Sequence, residues 1–270
     1  MARFRRQRHD DEERFETLVA RVTSQIDDRM QIYEYGLRGA RGAVIAAGVD
    51  GVTRERFRQY SETRNPDEEF VGSRGFGFIR RVAPAAEAAF LEDARKDGKP
   101  DFAIRQLAPH AGERFVIQYI EPQGPNTAAI GLDVASEGHR KEAAITAMDS
   151  GEATLTAPLT LVQAAGMHSR GFLLFLPVVR PGSTASAVPL RRQSTVGWTY
   201  MPLVIDEVLA GFDMQGGEFD FSITDDDVDG PVRFFATADE PQRTEGLLLR
   251  QTTLPVYGRG WSIRIWARPP

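Results

Sequence analysis

The segment from Phe115 to Pro177 restricts the possible folds more than any other part of this chain, because its residues spell a fixed order: strand, turn, helix, strand, turn, strand. Phe115 to Ile120 is a short run of β-forming residues closed by Pro122 and Gly124. Ser136 is a candidate cap for a helix over 137–149 that carries Ala143, Ala144, Ile145, Ala147 and Met148, and Gly151 stands where that helix would stop. Ala153 to Thr156 is extended and halted by Pro158, and Gly171 to Pro177 is a nearly unbroken apolar run, the pattern of a buried strand. A helix and antiparallel-sheet layer of this size can enclose a small cavity. The polar residues available to face it are few: Asp133, Arg140, Thr156 and Gln163.

Ahead of this segment, Arg3, Arg5, Arg6 and Arg8 precede the acidic run Asp10 to Glu13. Such a basic run can meet lipid headgroups or nucleic acid, or it can be the solvated start of a long helix. Phe15, Leu18, Val22, Ile26, Met30, Tyr33 and Leu37 then fall at spacings of three and four, which predicts one apolar stripe on a long helix. A stripe of that length exceeds what one small domain covers, so part of it is expected to pack on a twin; the alternative is a helix lying on its own domain. Gly36, Gly39, Gly42 and Gly48 loosen its end and allow close packing or a bend. Thr53 is a candidate cap for a short helix through Tyr60, closed by Asn65-Pro66. Phe76, Phe78 and Ile79 form a strand, and Ala83 to Asp97 reads as an amphipathic helix with Ala86, Ala89, Phe90 and Ala94 inward and Gly98 at its end.

Beyond Pro177, residues 181–195 are rich in Pro, Ser and Thr and read as a loop or linker. Val196 to Tyr200 is expected as a strand and Pro202 to Phe212 as a helix. Phe219–Ile223, Val232–Phe235, Leu247–Pro255 and Trp261–Trp266 are four further strands. The fold class is therefore α+β: a helical N-terminal part over 1–66, a first lobe over 67–181 and a second over 182–270, each lobe with an antiparallel sheet.

The chemistry on offer is sparse. There are 270 residues and no cysteine, which removes disulfides and thiolate metal sites. A net charge of −5 argues against a nucleic-acid surface. No run of about eighteen apolar residues spans a bilayer, and the N-terminus lacks the apolar core of a signal peptide. His9, His110, His139 and His168 are not paired at metal-ligand spacing, and no nucleophile–base pair is visible, so no catalytic residue, metal or cofactor is expected. The glycines of 72–77 open a strand rather than a helix, unlike a phosphate loop. Asp225, Asp227, Asp229 and Gly230 match the start of a calcium loop, but the twelfth position is Ala236 where a bidentate Glu is needed, so a surface hairpin is expected instead. Arg140 lies in a first helical turn, where the dipole favours anions. It therefore either forks onto the carboxylate of a ligand or pairs with Asp133 or Glu137. Thr156, if buried, either contacts a ligand or makes a turn hydrogen bond, while Val162 and Phe175 read as core.

The residues 116–133, 139–144, 150–163 and 171–179, with 72–82 as an upstream strand, together resemble the CHASE family, the extracytoplasmic sensory domain of receptor histidine kinases and nucleotide cyclases; the match covers roughly 15–180. The resemblance implies a stalk helix that mediates homodimerisation, then a membrane-distal and a membrane-proximal PAS-like lobe. It implies a periplasmic position in an inner-membrane receptor, with membrane contact only through flanking segments. The implied function is binding of a small molecule in the distal lobe and transmission to a histidine kinase or diguanylate cyclase. The alternative is a ligand-free dimerisation or protein-interaction module. The expected ligand residues are Tyr119, Asp133, Arg140, Thr156, Val162 and Phe175. In the family's plant hormone receptors an acid that recognises the adenine ring of cytokinins falls on Arg140, a pocket leucine on Val162 and a tail-contacting threonine on Phe175; the motif threonine is kept as Thr156. Arginine in place of the acid argues against a cytokinin and for an anionic ligand with a hydrophobic part.

Overall fold

The computed structural model of the chain describes residues 2–161, 170–183, 186–212, 219–227, 230–242 and 244–268, with the side chains of 2–6 and 8 outside the description. Helix α1 (Ala2–Ala47) is followed by the short helices α2 (Arg54–Glu62) and α3 (Pro66–Glu69). Strand β1 (Phe76–Val82), helix α4 (Glu87–Lys96), β2 (Arg105–Gln106), β3 (Arg114–Glu121) and β4 (Leu132–Asp133) lead to helix α5 (Gly138–Ser150). Then come β5 (Thr154–Leu155), β6 (Leu159–Thr160), β7 (Arg170–Val179), α6 (Val188–Ser194), β8 (Thr195–Val204) and the single turn α7 (Ile205–Val208). The chain closes with β9 (Phe219–Asp225), β10 (Val232–Ala236), β11 (Leu248–Val256) and β12 (Arg259–Ala267). Two sheets result. The first runs β2-β4-β3-β1-β8-β7-β5 with β6 also on β7, and the second runs β10-β9-β12-β11.

Period-two alternation decides which helix covers which face of the first sheet. On β7, Phe172, Leu174, Leu176 and Val178 belong to the core that contains α1, and Leu173 and Phe175 to the core that contains α5. On β8, Met201 and Leu203 go to the α1 side, and Trp198, Tyr200 and Val204 to the α5 side. A strand buried on both faces reads as an unbroken apolar run, which is why Gly171–Pro177 does.

All of the α1 stripe but Leu18, which is half-buried, is covered by this one chain: Phe15, Val22, Ile26, Met30, Tyr33 and Leu37 are all at most 4% exposed. Its C-terminal half lies on the first sheet, where the Thr199 hydroxyl donates to the Leu37 carbonyl at 3.3 Å and Arg41 donates to the Pro177 carbonyl at 3.4 Å. Its N-terminal half lies on the second sheet, where the Tyr257 hydroxyl donates to the Met30 carbonyl at 3.1 Å. The expectation that part of this stripe is left for a twin is thereby corrected: two sheets, not one small domain, supply the cover. What α1 leaves exposed is a different face with Ile32, Tyr35 and Ile45. The helix also runs straight through Gly36, Gly39 and Gly42 and stops at Gly48, whose φ is +83°. Gly36 is there for close approach: a Cβ would lie 2.7 Å from the Phe70 ring.

Several local expectations change in the same way. The 181–195 segment contains α6, and β8 begins at Thr195 and pairs with both β1 and β7, so the boundary expected after residue 181 falls inside the first sheet. The expected helix over 202–212 shrinks to one turn. Pro202 and Leu203 continue β8 instead, because Met201 and Leu203 fill the α1 side and Val204 the other. Residues 83–97 are a 3₁₀ turn and a shorter α4 with only Ala94 buried, so Ala86 and Ala89 face outward. The aspartate hairpin is a surface turn. Asp225 is buried and bound in a fork by Arg259, and the Asp227 carboxylate accepts from the Gly260 N–H of β12 while its own N–H donates to Asp225 at 3.0 Å; Asp229 lies outside the described residues.

Candidate ligand-binding site

Helix α5 begins with its own acid as cap. The Glu137 carboxylate accepts from the N–H groups of His139 at 3.0 Å and Arg140 at 3.1 Å. The expected cap, Ser136, is turned elsewhere: its hydroxyl donates to the Asp133 carbonyl and accepts from Leu107 N–H at 2.8 Å. Arg140 lies in this first turn and points inward, at 5% exposure. One Nη donates to Glu137 at 3.2 Å and the other to the Thr160 carbonyl at 3.0 Å. Burial pulls its pKa down, and Glu137 opposes that shift. Of the two partners open to Arg140 in sequence, Glu137 is the one it meets.

Behind Arg140 lies Tyr200 of β8, a residue sequence reasoning passed over. Its ring is fully buried, stacked on Phe175 at 6.3 Å, and laid across β1 at Gly77, where an added Cβ would stand 2.0 Å from a ring carbon. A glycine inside a strand marks such an approach, so the G-F-G-F run at 75–78 was the available signal. Among the described residues the Tyr200 hydroxyl has no hydrogen-bonding partner. Burial pushes its pKa up, and the Arg140 charge is close enough to draw it back part of the way. Trp198 packs in the same α5-side core, its indole N–H donating to the Ala144 carbonyl of α5 at 2.9 Å and its ring lying 4.5 Å from Phe115.

Three expected residues therefore converge on the α5 side. Arg140 and Phe175 flank Tyr200, and Thr156 stands one strand away. The Thr156 hydroxyl accepts from Leu173 N–H at 3.0 Å while its own N–H donates to the Leu173 carbonyl at 3.0 Å, so its side chain extends the pairing of β7. Asp133 does not join them. Fully buried, it accepts from Phe115 N–H at 2.9 Å and Ala135 N–H at 3.0 Å and contacts His110 Nε2 at 2.7 Å, which ties β3 to the entry of α5. Tyr119 is on the opposite face. It stacks on Phe57 at 5.6 Å and its hydroxyl bonds the Val52 carbonyl at 3.0 Å and Asp97 at 2.7 Å. Val162 and Gln163 lie outside the described residues. Among the described residues no cluster of three or more metal-ligating side chains occurs.

The α5 side of the first sheet thus holds a buried cation, Arg140, the hydroxyl of Tyr200 without a partner among the described residues, and the rings of Phe175 and Trp198. The solved structures it is similar to agree in fold. One is an extracellular ligand binding receptor from Desulfohalobium retbaense DSM5692, at 10% identity and TM-score 0.58, with 94% of this chain and 40% of that one covered. Another is the periplasmic sensory domain of the Campylobacter jejuni chemoreceptor Tlp1, at 9% identity and TM-score 0.51, with 94% and 91% covered. This chain thus spans well under half the length of the first of these. No curated protein matches the sequence. The CHASE domain model matches residues 50–235, and the chain belongs to that family of extracytoplasmic sensory domains; it is a sensor module, not an enzyme. The matched span begins after α1 and runs through β10, into the second sheet, farther than the resemblance over 15–180 reached. Among the described residues no helix is long and apolar enough to cross a membrane.

Proposed function

We propose that this sensor module binds a small anionic molecule on the α5 side of its first sheet, in the membrane-distal lobe of an inner-membrane receptor whose output is a histidine kinase or a diguanylate cyclase. The observation that carries the reading is that buried Arg140 acts on Tyr200, whose buried hydroxyl has no partner among the described residues and whose ring stacks on Phe175. A buried polar group without a partner costs about 1–3 kcal/mol, so its retention asks for a reason. A ligand carboxylate supplies one: it would take the place of Glu137 on the guanidinium fork and accept from the Tyr200 hydroxyl, while its apolar part meets the rings of Phe175 and Trp198. Signal passes along α1, which packs on both sheets. In the full receptor a second copy docks on the exposed α1 face of Ile32, Tyr35 and Ile45.

Thermal unfolding against a library of carboxylates and purines tests this. The expected result is a rise in midpoint with an anionic compound that is lost in Arg140→Ala, since a ligand of the native state raises stability by mass action. A rise with purines alone, unaffected by Arg140→Ala, would overturn it. A second reading, a protein-interaction module without a ligand, is favoured by the protein partners that Arg140 and Thr156 already have. Under it no compound shifts the midpoint, and the paired state of α1 is the only output.

A further inference from the structure

A cleft of about 380 Å³ lies between α2, α3, the residues before β1 and the turn that follows β3. It does not touch α5. Ser73 and Glu121 are in its lining and are deeply buried, at 7% and 6% exposure. Among the described residues the Ser73 hydroxyl has no hydrogen-bonding partner. The Glu121 carboxylate accepts from Gln123 Nε2 at 3.2 Å and forms no ion pair among the described residues. The arginines that line the cleft are each matched to other acids: Arg58 to Glu55 and Glu62, Arg64 to Glu69, and Arg74 to Glu207. Glu121 is thus a buried acid of the cleft wall with no ion-pair partner among the described residues, its charge met only at a distance by Arg54 and Arg58. Burial raises its pKa, and the Gln123 hydrogen bonds and the charges of Arg54 and Arg58 draw it back only in part. Pro66, Pro122 and Pro125 give the cleft a rigid apolar wall.

We propose that this cleft binds a small organic ammonium ion, its N–H groups donating to the Glu121 carboxylate and the Ser73 hydroxyl and its carbon chain lying against the three prolines. An ammonium carries three donors and no acceptor, which fits two buried oxygens and sets a cation in direct contact with a carboxylate that has no ion-pair partner among the described residues. The site is independent of the α5 side and stands whether or not an anion binds there. It is also wired to α1. Arg74, in the cleft wall, forks onto Glu207 of α7 at 2.6 and 2.7 Å, and the next carbonyl, that of Val208, accepts from Arg29 of α1 at 2.9 Å.

The test is an NMR titration of the whole chain with propylammonium chloride, using sodium propionate as the anionic control and following the amides of residues 73–75 and 121. Propylammonium is expected to give saturable shifts there with a Kd of about a millimolar, and propionate none. Glu121→Gln keeps the side-chain shape, removes the charge and should weaken binding by at least about tenfold. Ser73→Ala should weaken it several-fold, and Arg140→Ala should leave it unchanged. Absence of saturation in the native chain, equal affinity in Glu121→Gln, or a response to propionate in place of propylammonium would each overturn the proposal. Because Glu121→Gln removes a buried charge whose desolvation outweighs the help of Arg54 and Arg58, it should fold at least as well as the native chain, so lost binding cannot be ascribed to unfolding.

Discussion

Replacing Tyr200 by Phe isolates the one feature on which the anion site depends. The ring of Tyr200 is held by Phe175 and by the space above Gly77, and both contacts survive in Phe. Only the hydroxyl oxygen is lost. In the unliganded chain that oxygen is buried without a partner, a state that costs about 1–3 kcal/mol. Its removal opens a void smaller than a methyl group, which returns part of the gain. Tyr200→Phe is therefore expected to stabilise the unliganded protein by about 1 kcal/mol, a rise in midpoint of roughly 2–4 °C for a chain of this size. Denaturant unfolding with an unchanged slope is the proper readout, since a changed slope would mean altered compactness. The same substitution should reduce the midpoint rise that an anionic ligand produces, because it deletes a donor to that ligand. A stabilised variant with weakened ligand response is the signature of a group kept for binding. A variant less stable than the native chain would show that the hydroxyl is satisfied in solution, and the argument for the site would fall with it.

Four other perturbations probe the same framework. Gly77→Ala places a Cβ 2.0 Å from the Tyr200 ring and should destabilise by about 1–3 kcal/mol in the native background but by little in a Tyr200→Ala background, a coupling that a double-mutant cycle measures. Arg140→Ala strips the Thr160 carbonyl of its side-chain donor and should cost about 1–3 kcal/mol in chemical denaturation even without ligand. Glu121 has a raised folded-state pKa, so the fold holds its proton more tightly than the unfolded chain does; stability from this group is present below the ordinary carboxylate range and lost as pH rises through the raised value. The stability gain in Glu121→Gln should accordingly be near zero in acid and grow toward neutral pH, and a gain independent of pH would contradict the buried-charge account. Tyr35→Glu, on the exposed α1 face, should lower any dimer fraction seen by sedimentation while leaving the unfolding midpoint within about 0.5 kcal/mol of native, as surface changes do.

Local signals were sufficient for much of this protein. The α1 stripe, the Thr53 cap that accepts from Arg56 N–H, the Gly151 stop at φ +78° and the apolar run of β7 all follow from spacing and from one-residue backbone preferences. These are short-range physics, readable within a window of a few turns, and the ordered motifs along 72–179 carried the family as well. What the sequence left open depends on partners far apart along the chain. That α1 is covered by two sheets of its own chain, that β8 joins β1 and β7 across a Pro- and Ser-rich connection, and that Pro202 continues a strand are outcomes of which buried face needed filling. The site shows the same division. Arg140 was marked by its unfavourable place near a helix N-terminus, yet its partner Thr160 and its neighbour Tyr200 lie 20 and 60 residues away, and only the packing of α5 on β8 brings them together. Asp133 and Tyr119 looked equally suitable as polar residues on the same stretch. The pleat of β3 and the corner at β4 sent one to the α1 face and used the other to hold backbone N–H groups, because a buried oxygen must be satisfied wherever the chain puts it.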